Sequence, residues 1–419
     1  MIAVLRQHNF LFIWLGGIIS QIGDWMLFVA LPVYVYELTG STLATGLTFI
    51  IEAVPRVLLG SVAGVFVDRW NLKRTMISAD LLRALAVLPL LAVSSTHSLW
   101  VIYVVALATN IVSQFYGPAE NAVLPQLVDE SSLMDANAAL TLGANLTRLV
   151  GPAAGGGLVT WLGFHSVVTI DSLSFALSAV CTAAVVLRHA RSVDEGEEQM
   201  DGNIWTSVWR EWWAGLQIVR GTPAIRSAFL VVATVMPAEG ILQVLFVVFV
   251  TKVLKGGAGD FGLVLSAQAI GGVVGSLVIG RIGRLLSPGP MVGISGVVNG
   301  LILLIIFNFH SLALALALFV VAGLPVGAFF VSLQTALQKN VADEYLGRVF
   351  GAFGTTVALM TLIGMAFASA MGDRLGIVPT LDIVGVLNIA AGLVAFSLLR
   401  GVSEVPAPLI ETIDASKPV

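Results

Sequence analysis

A few charged side chains stand alone inside long apolar stretches, and they are where chemistry could be done. Asp24 and Glu239 are each the single acid of their run, with no basic residue one turn away. A carboxyl so placed can take up and release a proton, or donate a hydrogen bond in packing. Glu52 and Arg56 lie four residues apart and would share one helical face, either neutralising each other or touching a ligand. Asp80 and Arg83, three apart, read as a structural pair, and Asp171 and Asp382 as hydrogen-bonded caps near helix starts. Arg148 has no acid in its own run, so it must look inward, for coupling or for an anionic group. An ionised group at mid-bilayer costs about 2.5–3.5 kcal/mol, so each needs a partner or a task.

Other chemistries are poorly supplied. The five histidines are scattered and Cys181 is single, which leaves no metal-ligand spacing and no disulfide. The stretch 257–262 satisfies Gly-x-Gly-x-x-Gly but has no strand before it and no acid about twenty residues later. With no nucleotide loop, nucleophile–base pair or cofactor motif, an enzyme is not expected.

The elements that must carry these residues are helices that cross a membrane. Of 419 residues, 57% are hydrophobic and 11% charged, with a mean hydropathy of +0.96. Soluble domains carry about 25% charged residues. A net charge of −4 offers no basic face to nucleic acid. Twelve apolar runs, most about 18–25 residues long, match the ~30 Å hydrocarbon layer. They fall at 10–34, 43–67, 75–93, 99–115, 138–161 and 167–187, then at 225–250, 261–285, 291–307, 313–333, 349–371 and 377–399. Continuous rather than alternating apolarity excludes a β-barrel.

Lys and Arg in the connections set the orientation expected: fifteen on the side of the N-terminus and three on the other. Both ends of an even-spanned chain then lie in the cytoplasm, in a bacterial cell membrane. The one long connection, 191–222, starts acidic and continues with Trp205, Trp209 and Trp212 at helical spacing, an amphipathic helix expected to lie in the headgroups. It divides a bundle at 1–190 from one at 223–400, and 401–419 reads as a cytoplasmic tail.

The two sets of six runs repeat each other. Asp24 recurs as Glu239 at an offset of 215, and Gly46 and Gly64 as Gly262 and Gly280 at 216. Asp129-Glu130 recurs as Asp343-Glu344 at 214, Leu149-Val150-Gly151 as Leu362-Ile363-Gly364 at 213, and Thr169-Ile170-Asp171 as Thr380-Leu381-Asp382 at 211. An all-α protein of two pseudo-symmetric six-helix bundles follows. Halves in the same topology, with a site between them near the midplane, describe a rocking transporter.

Two motifs sharpen this. Gly64 and Asp68 share a face at the end of the second run, followed by Arg69, Lys73 and Arg74. The glycine permits a close neighbour helix, the aspartate can meet a positive helix N-terminus, and the bases anchor the loop inside. The plainer reading is a stop signal. The stretch resembles the loop 2–3 signature of the major facilitator superfamily, with Asn71, which tolerates a left-handed conformation, in place of a glycine and Leu72 in place of a base. The resemblance implies that Asp68 latches the halves on the cytoplasmic side, facing Gly347 and Arg348. In the fifth run, Gly143, Gly151, Pro152, Gly155 and Gly156 are similar to the Gly-Pro signature of the drug:proton antiporter branch, though a kinked packing helix would look alike.

Further stretches, among them Ala79-Asp80-Leu81-Leu82-Arg83 and Leu124-Pro125-Gln126-Leu127-Val128, look like the efflux subfamily of macrolide and enterobactin exporters. The resemblance implies the major facilitator fold and alternating-access export of hydrophobic or amphipathic small molecules coupled to protons through Asp24, Glu239 and Arg148. A siderophore or lipid-like cargo without proton coupling stays as the alternative. The usual arginine of the fourth run is missing, with Arg148 or Arg56 as stand-ins. A cavity lining is expected from Trp25, Phe28, Glu52, Arg56, Phe115, Phe246 and Phe329.

Overall fold

The computed structural model describes residues 2–186, 219, 222–282, 287–341 and 345–399. The expected amphipathic linker helix (bar 219 and 222), the Asp343-Glu344 match and the tail lie outside them. After one helical turn at Ile2–Leu5, the described residues form twelve long helices. The first six are α1 (His8–Thr39), α2 (Thr42–Val67), α3 (Leu72–Val87), α4 (Leu99–Leu127), α5 (Leu133–Leu162) and α6 (Phe164–Ala184). The second six are α7 (Pro223–Val248), α8 (Ala258–Ile282), α9 (Pro288–Asn308), α10 (Leu312–Asn340), α11 (Leu346–Leu375) and α12 (Ile377–Leu398).

Local chemistry explains the ends. Gly40, at φ 60°, closes α1 with its N–H on the Tyr36 carbonyl. Pro89 turns the end of α3 into 3₁₀ turns over Leu88–Ala92. Asn71 is the N-cap of α3, with extended backbone (φ −71°, ψ 106°) and its side chain accepting from the Arg74 N–H. Its role is thus capping rather than the left-handed turn expected for it. α4 and α10 run well past the apolar stretches because helix continuation needs backbone hydrogen bonds, not apolar side chains. Among the described residues, eleven helices are long and apolar enough to cross a membrane. The remaining one, α5, spends its faces on glycines that lie against other helices.

The two halves repeat each other's packing. α1 lies on α5 and α6, α2 on α4, and α3 on α4 and α6; α7 lies on α11 and α12, α8 on α10, and α9 on α10 and α12. The halves meet through α5 on α8 and α2 on α11, again symmetry mates. Gly163 (φ 80°) and Gly376 (φ 91°) turn the chain between the last two helices of each half. They set the offset there at 213, not the 211 expected from Asp171 and Asp382. Asp171 is fully buried, whereas Asp382 sits near the start of α12 and accepts from Asn308 Nδ2 at 2.8 Å. The two aspartates are not equivalent.

Candidate functional site

In the N-terminal bundle, Arg83 of α3 organises a charged core. Its guanidinium binds Asp80 Oδ1 at 2.5 Å and lies 3.5 Å from Asp24 Oδ2 of α1. The rings of Tyr116 on α4 and Phe175 on α6 flank it, 4.8 and 4.3 Å from its central carbon. Asp171 on α6 is within electrostatic reach of Asp24 and Arg83, and Glu120 on α4 of Asp80 and Arg83. Asp171 fits because Gly23 has no Cβ: one would fall 2.5 Å from its Oδ1. Neither Asp171 oxygen, nor Glu120 Oε1, has a hydrogen-bond partner among the described residues. Four carboxyls therefore share one guanidinium, an imbalance that bound protons can make up.

Asp24 is thus not the solitary acid that its own helix suggests. Its side chain is also 49% exposed, half-way along α1. Glu239 is likewise exposed although both its chain neighbours, Ala238 and Gly240, are buried. The Arg148 guanidinium lies 6.0 Å from the Trp25 ring and within electrostatic reach of Glu239. Glu52 is within reach of Arg56 and Asp24. Groups from α1, α2, α5 and α7 thereby gather along the seam between the bundles, with Trp25 and Phe28 edge-to-face at 5.3 Å.

Two expected lining residues lie elsewhere. Phe246 is 4% exposed and packs on Phe261 and Phe319, inside the core. Phe115 stacks on Trp70 at 5.5 Å, beside the loop after α2. An α7 that is apolar on nearly all sides gives no face to read, so the sequence could not tell which way Phe246 points.

The glycine motif of α5 serves two neighbours. A Cβ at Gly143 would press on Trp14 and Ile18, at Gly151 on Trp25, and at Gly155 on the Met26 backbone, all on α1. Gly156 instead opposes the Ala258 carbonyl of α8, and Gly262 of α8 opposes the Pro152 carbonyl. On the symmetry-related seam, Gly46 of α2 faces Ser369 of α11. Polar ties close this end: Thr42 Oγ1 donates to Asp373 Oδ1 at 2.5 Å and the Gly259 N–H to Thr160 Oγ1 at 3.2 Å.

At the Asp68 end the described glycines of the two halves face open space. Asp68 is exposed, and a Cβ at Gly64, Gly347 or Gly351 would meet no described atom within 4 Å. The latch expected there would join Asp68 to the start of α11, where the Arg348 side chain lies outside the described ones. Arg69 and Arg74 are exposed, while Lys73 Nζ donates to the Ala183 and Val185 carbonyls at the end of α6, at 2.8 and 2.6 Å.

Within the C-terminal bundle lies a small cleft of about 30 Å³, lined by Glu239, Asn299, Phe329 and Asn388. Asn299 Nδ2 donates to Asn388 Oδ1 at 3.0 Å, and Asn299 Oδ1 has no partner among the described residues.

A family model described as a transmembrane secretion effector matches residues 1–410. The chain belongs to this family, within the major facilitator superfamily. Macrolide efflux protein A of Streptococcus pyogenes is 28% identical over 379 residues, covering 88% of this chain and 90% of that one. The multidrug efflux pump Tap of Mycolicibacterium fortuitum is 26% identical over 410 residues, covering 94% and 97%. A crystal structure of a bacterial homologue of the iron transporter ferroportin shares the fold, with a TM-score of 0.73 at 14% identity over 94% of this chain and 99% of that one. This secretion effector is an integral membrane protein with the architecture of a small-molecule transporter.

Glu120 lies beyond the apolar run of α4, and the three-residue spacing of Asp80 and Arg83 reads only as a structural pair. No signal in the sequence joins Arg83 to Asp24: the first three runs hold both Arg56 and Arg83, and their spacing does not say which faces the acid of α1.

Proposed function

We propose that this secretion effector is a secondary active exporter of hydrophobic or amphipathic small molecules, working by alternating access and drawing on the proton gradient. The observation that carries the reading is Asp24, a carboxyl that touches Arg83 at 3.5 Å and is also 49% exposed at the seam. A proton arriving at Asp24 weakens its hold on Arg83, and the buried acids behind it redistribute the guanidinium's charge. The bundle that contains Arg83 can then respond to protonation at a site the cargo also reaches. The efflux proteins among its relatives support the direction of transport.

With the N-terminus in the cytoplasm, the open Asp68 end faces inward and the closed Thr42 end outward, the state that would load cargo for export. The bundles are taken as 1–190 and 223–400, joined by 191–222 and followed by a cytoplasmic tail, 401–419. Glu239 and Arg148, facing each other across the seam, are the second coupling pair.

Reconstituted vesicles with a pH-sensitive dye inside test this. Adding a transported amphipathic dye should drive proton movement in the parent protein, and Asp24→Asn should abolish it. Full proton movement in Asp24→Asn would remove that residue from the mechanism, and export indifferent to an imposed pH gradient would remove proton coupling.

A further inference from the structure

The face of α1 behind the seam is built of small residues, and polar groups of α6 fill the room they leave. Gly16 lies against Ser178, and Gly23 against Ser174 and Asp171. The missing Cβ at Gly23 admits the Asp171 carboxyl beside Asp24, the next residue of α1. The Ser172 hydroxyl donates to the Ala84 carbonyl of α3 at 2.8 Å. That bond fixes α6 against α3 one residue on from both Asp171 and Arg83. Asp171 is fully buried, and neither of its oxygens has a hydrogen-bond partner among the described residues.

An ionised carboxylate at Asp171 would have neither water nor a hydrogen-bond donor, and the anion of Asp24 beside it. One proton on Asp171, with Asp24 ionised against Arg83, removes both costs. Two acids this close titrate as a pair, and a proton held by one is available to the other. Arg83 can serve either arrangement. Its Nη1 faces Asp24 and its Nη2 Asp80, while its Nε–H has no acceptor among the described residues. A charge moved onto Asp171 therefore stays within reach of the same guanidinium.

We propose that Asp24 and Asp171 form a dyad that passes one proton between the seam and the interior of the N-terminal bundle. Apolar cargo set against Asp24 strips water from its carboxylate, which favours the neutral form there. One O–H bond then breaks on Asp171 and one forms on Asp24, with no change in net charge. The negative charge retreats behind Gly23, and the cargo meets a neutral seam. Exchange with water stays with Asp24, the exposed member of the pair. The groups around them are Glu52 from α2, Asp80 and Arg83 from α3, Tyr116 and Glu120 from α4, and Arg148 from α5 over the Trp25 ring. None of these gains or loses a proton in the transfer. The inference rests on the proposed coupling role of Asp24 and adds its buried partner.

Infrared spectra of the purified full chain in lipid nanodiscs, with ¹³C-aspartate against unlabelled protein, isolate the C=O stretches of protonated aspartates. At neutral pH one such band is expected, and Asp171→Asn should delete it. Benzylmaleimide on Phe28→Cys, in a Cys181→Ser chain, ties an apolar ring one helical turn from Asp24 as a stand-in for cargo. The band should then move to a second frequency at equal area, and with Asp24→Asn added it should stay where it was. A merely structural Asp171 keeps its band in place under the tether. The absence of a protonated-aspartate band from the parent, a band unmoved by the tether, or a movement that survives Asp24→Asn overturns the proposal, and none of these outcomes needs Asp171→Asn to fold. Movement of the band as expected, without dye-driven proton movement in vesicles, would leave the dyad standing and remove coupled export. Proton movement that Asp24→Asn abolishes, in a chain with no such band, would do the reverse.

Discussion

The Thr42 hydroxyl at the start of α2 donates to Asp373 Oδ1 near the end of α11, 2.5 Å away, and the Thr42 N–H reaches Asp373 Oδ2 at 3.2 Å. One carboxylate therefore caps the first turn of a helix in the opposite bundle, satisfying an N–H that has no partner inside its own helix. The contact exists only while this end of the seam is shut. Hydrogen bonds to charged groups contribute about 1.5–3 kcal/mol, and with Asp373 exposed about 1 kcal/mol is the reasonable share here. Asp373→Asn should shift the balance toward the alternate state several-fold. Spin-label distances between the two bundles at the Thr42 end would read that shift, and an unchanged distribution would deny the contact a conformational role.

The α5–α8 seam tolerates no side chain at Gly156. A Cβ there would collide with the Ala258 carbonyl and approach the Gly259 Cα to 3.0 Å, both backbone atoms that a rotamer change cannot move. Overpacking of this kind costs about 1–3 kcal/mol. The penalty falls on the closed seam and not on either bundle, so Gly156→Ala should keep the fold while losing transport. Gly157, where a Cβ meets nothing within 4 Å, is the control: Gly157→Ala should transport as the parent does. Equal loss in both would point to helix propensity rather than to the seam.

How far the sequence reached follows from what each level of structure depends on. The twelve helices were legible because hydrocarbon thickness imposes a length and apolar composition on each run. The duplication was legible because Asp24 and Glu239, or Gly46 and Gly262, recur in order. Lateral neighbours were not. Arg83 reaches Asp24 from another helix, 59 positions along the chain, and nothing in either run says that α1 and α3 share a partner in α6. Phe246 and Phe329 look alike in sequence, yet one is core and the other lines a cleft, because only packing decides which side of a helix meets a space. The false match of Asp171 with Asp382 arose from reading letters where burial sets the register.

Arg83 holds together acids that would otherwise repel one another. Removing one partner from a buried charged pair costs about 3–5 kcal/mol, because the charge left behind is uncompensated. Arg83→Met should therefore lower the melting temperature strongly, and Arg83→Met with Asp80→Asn should recover much of the loss. Arg83→Lys keeps the charge but not the planar fork that reaches Asp80 and Asp24 together, and should fall between. If Asp80→Asn gives no recovery, the destabilisation comes from the lost stacking on Tyr116 and Phe175 and not from charge.

Asp68 gives the sharpest separation of stability from function. It is exposed here, and a Cβ at Gly64 on its helix face would meet no described atom within 4 Å. Asp68→Asn should leave thermal stability within about ±0.5 kcal/mol, as surface substitutions do. Should the aspartate meet the N-terminus of α11 when this end shuts, the same substitution removes a favourable charge–dipole contact from the other state alone. Transport then falls while the melting curve stays in place, and the spin-label populations move toward the conformation described here. Parent-level transport in Asp68→Asn would show that closure at this end needs no such latch.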